Sequence, residues 1–212
     1  MAISDTITSM QNHLKNAYEK VSEKGGTVPS EKNMANLSEA IGSVPSGDNT
    51  LLNSLIDRSI TEISNDEVKS VGKSSFNNCE KLTSVNFTLC TVIYDNAFQN
   101  CTKLTSVNLP ICSNINSYVF YNCSKLSSLN LPLCSNIGYH SLEKCSSLTT
   151  LIIRSSSVCV LAGTNTFNST PIATSTTEGF IYVPDGLVES YKSATNWSTY
   201  ASKIKPISDL GE

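Results

Sequence analysis

The sequence predicts an α/β solenoid: a short parallel sheet built from stacked 22-residue coils, with a helical N-terminal segment before it and a C-terminal helical cap after it. Three observations lead there. Apolar columns recur at one fixed spacing, part of each copy alternates as a strand does, and prolines fall where those strands must stop.

Four segments, 68–89, 90–111, 112–133 and 134–155, superimpose without a gap. Their apolar columns are Val71, Ile93, Ile115, Ile137; Phe76, Phe98, Phe120, Leu142; and Leu82, Leu104, Leu126, Leu148. Two more columns are Val85, Val107, Leu129, Leu151 and Phe87, Leu109, Leu131, Ile153. The last two columns lie two residues apart within a copy, so in a strand they share one face while the residue between them points away. Pro110 and Pro132 follow, and proline lacks the N–H a ladder needs. The other half of each copy, such as 95–101, is too short for much helix and suits a turn or 3₁₀ segment. One coil cannot offset its own backbone entropy of about 1–2 kcal/mol per residue. Stacking, which buries both faces of each coil, makes the balance favourable.

Seven of the eight cysteines belong to the pattern. Cys79, Cys101, Cys123 and Cys145 form one column and Cys90, Cys112 and Cys134 another, while Cys159 lies outside both as a candidate free thiol. No C-x-x-C pair occurs, and His13 and His140 do not sit at ligand spacing. Stacked thiols with parallel Cβ vectors suit disulfides poorly, so the columns read as small buried hydrophobes in reduced form.

The run Asn96-Ala97-Phe98-Gln99-Asn100-Cys101-Thr102-Lys103-Leu104-Thr105-Ser106-Val107-Asn108-Leu109-Pro110 resembles the BspA-like (Treponema pallidum type) leucine-rich repeats. Their units read as Ala-Phe, a few residues, Cys, then Leu-x-x-Val-x-Leu-Pro. The resemblance covers about residues 60 to 204 and implies a right-handed leucine-rich-repeat solenoid. Thr88 and Arg154 stand where the proline would be, and Ser75, Val119 and Ser141 where the alanine would be.

The ends differ from the array. In residues 1–47, Ile3, Ile7, Met10, Leu14, Ala17 and Val21 mark a heptad seam that Gly25 and Gly26 stop. A second short helix is expected from Ser30, carrying Met34, Leu37 and Ile41. The seam fits an amphipathic helix folded on its neighbour, or self-association as a homo-trimer through residues 1–47. This segment also resembles, more loosely, N-terminal modules of tail and fibre proteins of phages infecting gut Firmicutes. Residues 48–67 read as a linker and N-terminal cap, and 156–212 as the C-terminal cap. There Phe167 imitates the Phe column, 179–184 repeats the strand-then-proline pattern, and Asp185 is a candidate N-cap. Trp197 reads as a core plug.

Charged residues make up 16% of the 212-residue chain, against about 25% in typical domains; Ser, Thr and Asn take their place. A net charge of −3 gives no electrostatic reason to expect nucleic acid. No stretch approaches the roughly 20 apolar residues of a spanning helix, so no membrane insertion is expected, and no signal peptide is visible. Catalytic and nucleotide-binding motifs are absent from the sequence. The expectation is a protein that is not an enzyme and needs no cofactor or metal. The six N-x-S/T triplets follow from composition.

What remains is surface. Ser84, Asn86, Ser106, Asn108, Ser128, Asn130, Thr150 and Ile152 lie beside the inward strand residues, where leucine-rich repeats usually bind partners. Their plain role is solubility, with Asn86, Asn108 and Asn130 in an amide ladder; their functional role is a flat polar site without charge selectivity. The resulting expectation is a non-catalytic recognition or adhesion module for a protein or cell-surface glycan. A phage tail or fibre component in the virion leads. A bacterial surface or secreted adhesin binding host matrix or mucin, and an intracellular scaffold in the cytoplasm, are the alternatives.

Overall fold

The computed structural model describes residues 22, 58–174 and 178–211. The chain divides into two compact units, 1–59 and 60–212, and the second holds the repeats and the C-terminal cap. The heptad seam, the trimer contact and the second short helix fall outside the described residues.

In chain order the strands are β1 (Glu62–Ser64), β2 (Ser70–Val71), β3 (Ser84–Asn86), β4 (Val92–Ile93), β5 (Ser106–Asn108) and β6 (Asn114–Ile115). They continue with β7 (Ser128–Leu131), β8 (Asn136–Ile137), β9 (Thr150–Ile153), β10 (Val160–Leu161), β11 (Phe180–Val183) and β12 (Ile204–Pro206). Every pairing is parallel, and adjacent repeats meet in register: Ser84 with Ser106, Val85 with Val107, Asn86 with Asn108. Each coil thus contributes one strand to a front sheet and a two-residue strand to a back ladder. The back ladder runs unbroken through β2, β4, β6, β8 and β10. The front is interrupted between β5 and β7, leaving β1-β3-β5 and β7-β9-β11-β12.

The five apolar columns fill the space between front and back. All their members are buried except Val107, which is half-buried. Val107 lies on β5, the strand bordering the interruption, where no bonded neighbour closes over its outer side. Phe76, Phe98 and Phe120 stack in near-parallel pairs, with centroids 5.2 and 5.6 Å apart.

The stack continues outside 68–155 at both ends. β1 pairs with β3 in the repeat register, and β11 pairs with β9, placing Phe180 beside Thr150 and Ile181 beside Leu151. Between them, Lys144 donates its backbone N–H to the Asn168 carbonyl, which sets buried Phe167 in the Phe column.

Cys159 is not outside the columns. It is buried with its Sγ 4.0 Å from that of Cys134, 25 residues away, and so continues the second column. Extra residues ahead of it break the sequence register without breaking the stack. None of the eight cysteines is in a disulfide. Burial pushes the Cys123 and Cys145 thiols up, the latter to about 12. The neighbouring thiol's hydrogen bond pulls Cys90 and Cys134 down, while their partners Cys112 and Cys159 are pushed up.

The C-terminal segment is more extended than a helical cap. It adds β11 and β12 around one α-helix, α1 (Val188–Ser193), and 3₁₀ segments at Asp185–Leu187, Trp197–Lys203 and Ile207–Leu210. Asp185 caps no helix. Its Oδ1 accepts the Ser208 N–H, and hydrogen bonding from Ser208 lowers its pKa. Trp197 is buried, its Nε1–H donating to the Cys159 carbonyl at 2.6 Å, while the Tyr191 hydroxyl accepts the Cys159 N–H.

The Ser, Thr and Asn side chains, which replace charge in this composition, bond from coil to coil. Thr83 and Thr105 donate to Thr61 and Thr83 carbonyls, and Ser113 and Ser135 to Thr91 and Ser113 carbonyls, each across 22 residues. Asn100 donates to Asn78, and Asn122 to Asn100, at 2.8 and 3.0 Å.

Candidate functional site: the outer face of the front sheet

Strand alternation sorts the front sheet into two faces. Val85, Leu129, Leu131, Leu151, Ile153, Ile181 and Val183 point inward and are buried. The intervening residues form the outer rows. Of the eight expected there, Ser106, Asn108, Ser128 and Asn130 are exposed, and Ser84, Asn86, Thr150 and Ile152 are half-buried.

The structure aligns these eight in two groups. Ser84 and Asn86 register with Ser106 and Asn108, and Ser128 and Asn130 with Thr150 and Ile152. The expected three-member amide ladder is corrected. Asn108 donates to Asn86 at 2.7 Å, and Asn86 to the Ser64 hydroxyl at 2.9 Å. No such bond joins Asn130 to Asn108, because the sheet is interrupted between their strands.

Five residues extend the face beyond the expected set: exposed Glu62 and Ser64 register with Ser84 and Asn86 at one end, and Phe180, Tyr182 and Lys205 lie at the other. Phe180 registers with Thr150, and Tyr182 with Ile152 and, on its other side, with Lys205. The Lys205 ammonium lies 3.6 Å from the centroid of the Phe180 ring, and that of Lys203 5.5 Å from it. Phe180 and Tyr182 meet edge to face at 6.4 Å. The signal was present in the sequence: if Ile181 and Val183 face inward, Phe180 and Tyr182 must face out. The outer face therefore changes along the stack, from hydroxyl and amide groups to an Ile152, Phe180 and Tyr182 patch carrying cationic charge. Lys205 carries positive charge at that end, and the Glu62 carboxylate, in register with Ser84, carries negative charge at the other.

Other places offer less chemistry. A cavity of about 350 Å³ lies between 158–162 and 194–197, lined largely by Val160, Leu161, Ala162 and Trp197. Its amide, Asn196, is committed to the Leu161 carbonyl. Among the described residues, no three His, Cys, Asp or Glu side chains group to hold a metal, and no helix is long and apolar enough to cross a membrane. His140 lies on the turn face, bonded to the Glu143 carboxylate and stacked on Tyr118.

Repeated coils of one strand, one turn and one short back strand, in parallel register around apolar columns, define a leucine-rich-repeat fold with parallel sheets and few helices. The chain belongs to the BspA type leucine rich repeat region family, whose description matches residues 53–178 in six copies. Among solved structures it is similar to a T. pallidum leucine-rich-repeat protein, with 22% identity over 60% of this chain and 54% of that one, at a TM-score of 0.45. It is similar also to the pneumococcal vaccine antigen PcpA, with 19% identity over 69% and 40% of the two chains, at a TM-score of 0.48. A third is a leucine-rich cell surface protein of Faecalibacterium prausnitzii, with 17% identity over 69% and 39%, at a TM-score of 0.42. The chain thus spans between 39 and 54% of the length of these three. No curated protein matches the sequence at a significant level.

Proposed function

We propose that this chain is a non-catalytic recognition module that binds a protein partner on the outer face of the front sheet. The observation that carries this is the change of that face into a half-buried Ile152, Phe180 and Tyr182 patch with Lys205 over a ring. Solubility alone calls for no aromatic pair on an outer strand row, whereas a few side chains buried on binding, Tyr prominent among them, dominate the energy of protein interfaces. The polar rows from Ser84 to Asn130 then act as the hydrogen-bonding rim.

The phage tail or fibre, the bacterial surface adhesin and the intracellular scaffold share this chemistry and differ in where the chain works. The virion reading rests on the N-terminal seam. It predicts a trimer by light scattering on the full chain, and a monomer when residues 1–47 are removed.

The test of the binding reading uses the immobilised full chain against whole bacterial cells, host extracellular matrix and mucin. The expected result is binding to one of them that falls at least tenfold, about 1.4 kcal/mol, in a Phe180→Ser, Tyr182→Ser variant that still folds. Parental binding by that variant removes the front face as the site.

A further inference from the structure

The turn face, opposite in character to the strands, carries a second constellation. Each coil places two residues there at positive φ: Ser74, Asn96, Tyr118 and His140 at one position, and Asn78, Asn100, Asn122 and Lys144 at the other, all between 56° and 61°. The requirement is structural. At seven of the eight, all but His140, the backbone N–H is turned along the stack and donated to the next coil, as from Asn96 to the Ser117 carbonyl and from Tyr118 to Tyr139. Asn suits this conformation because its short side chain tolerates the left-handed region, while bulky side chains are outliers there. The first two coils use Ser and Asn. The third and fourth place bulky Tyr118 and Lys144 in the same conformation, together with His140, a residue type that tolerates it.

These three residues come together. The Tyr118 and His140 rings stack with centroids 4.7 Å apart, and Tyr121 lies 5.7 Å from Tyr118 at 54°. The Lys144 ammonium donates to the Tyr121 hydroxyl at 2.6 Å. His140 is bonded through Nδ1 to the Glu143 carboxylate, and their side chains are 26% and 17% exposed. The corresponding sites in earlier coils, Asn77 and Gln99 for Tyr121 and Glu143, show that the fold requires neither an aromatic nor an acid there. The bulky side chains of Tyr118 and Lys144 on left-handed backbone that the repeat elsewhere fills with Ser or Asn motivate a functional reading.

We propose that Tyr118, Tyr121, His140, Glu143 and Lys144 form a binding site for a neutral oligosaccharide. The five side chains present a pure donor, a pure acceptor and two phenols that do both, which matches hydroxyls that each donate and accept. His140 takes one face of Tyr118 and the Lys144 ammonium lies over one face of Tyr121, so the C–H edges of a sugar would meet the opposite, electron-rich ring faces. The opposite charges of Glu143 and Lys144 offset each other, which gives acidic glycans no advantage over neutral ones. Mutual contacts hold the side chains in place before binding and so reduce the ordering cost. The neighbours Asn96, Gln99, Ser117 and Asn122 are polar, and Tyr139, 54% exposed, adds a further aromatic ring rather than aliphatic area. This site is separate from the front face, and its failure would leave that reading intact.

The test is a titration of the full chain with four neutral tetrasaccharides, built from glucose, galactose, mannose or N-acetylglucosamine, observed by saturation-transfer NMR and by the tyrosine ring resonances. The expected result is binding of at least one sugar that perturbs Tyr118 and Tyr121, and at least a tenfold loss of affinity in Tyr118→Asn, His140→Asn. Both replacements copy the residue at position 96, so the variant should keep its thermal midpoint. Because the ring resonances of the parent chain report the site directly, a poorly folded variant does not remove the test. No binding of any of the four by the parent up to about 10 mM, a regime weaker than about 2.7 kcal/mol, overturns the proposal. So does binding that leaves the tyrosine rings unperturbed, or a cluster covered only by a protein partner.

Discussion

The strand face and the turn face are both built from polar residues repeating at 22, yet they constrain those residues differently. On the front sheet the backbone is ordinary extended chain that any side chain can adopt. The Asn108 side chain, in consequence, is held there by one amide bond to Asn86. On the turns the backbone has positive φ, and Asn100 is tied on both sides, to Asn78 and to Asn122. The same residue type, in a similar ladder, is a choice on one face and near a requirement on the other. Departures from pattern therefore mean different things. An aromatic on the strand face, such as Tyr182, is informative through what surrounds it; an aromatic on the turn face, such as Tyr118, is informative through the conformation it has to hold.

Substitutions can break or sharpen this contrast. The largest effect belongs to the core that both faces share: Leu126→Ala should cost about 2–5 kcal/mol in denaturant unfolding, since Leu126 is fully buried. A negligible loss would dissolve the column assignment. Next comes the turn ladder. Asn100→Ala gives up two amide bonds and places a Cβ residue without a compensating amide in the left-handed region, for a loss of about 2 kcal/mol. Asn100→Gly should recover part of it, and equal losses in the two variants would show that conformation is not the constraint.

A smaller effect of opposite sign is expected at Ser141. Its hydroxyl is buried without a partner, while those of Ser75 and Thr166 at the same place bond back to Gly72 and Gly163 carbonyls. Ser141→Ala should therefore raise stability by about 1 kcal/mol, visible as a higher thermal midpoint; a lower one would mean the hydroxyl is satisfied in solution. Least of all, Asn108→Lys with Asn130→Lys should change unfolding by no more than about 0.5 kcal/mol. A loss comparable with that at Asn100 would make the two faces alike.

Much of this was legible in the sequence because period and burial are coupled. The spacing of Leu104, Val107 and Leu109 fixes a strand with two inward residues, and their columns are where the core lies. The eight outward residues followed from the same alternation. Less legible was anything that depends on register across an insertion. Cys159 looked solitary because the extra residues before it hid its place above Cys134. Phe180 and Tyr182 were likewise readable as a strand but not as neighbours of Thr150 and Ile152. The interruption between β5 and β7 has no marker in Val107 or Asn108, whose types match those of Val85 and Asn86. Nor did the sequence show that Tyr118 and His140 occupy left-handed backbone: the 22-residue spacing aligned them with Asn96, but only the structure gave that column its positive φ.

The recognition claim is tested most directly by hydroxyl-radical footprinting of the full chain, with and without whichever of the cell, matrix or mucin preparations binds it. The account predicts protection of Phe180 and Tyr182, with Leu89 and Tyr94, each 47% exposed, oxidised equally in both states. Protection of Leu89 or Tyr94 with Phe180 and Tyr182 unchanged would contradict it and move the partner off the front sheet.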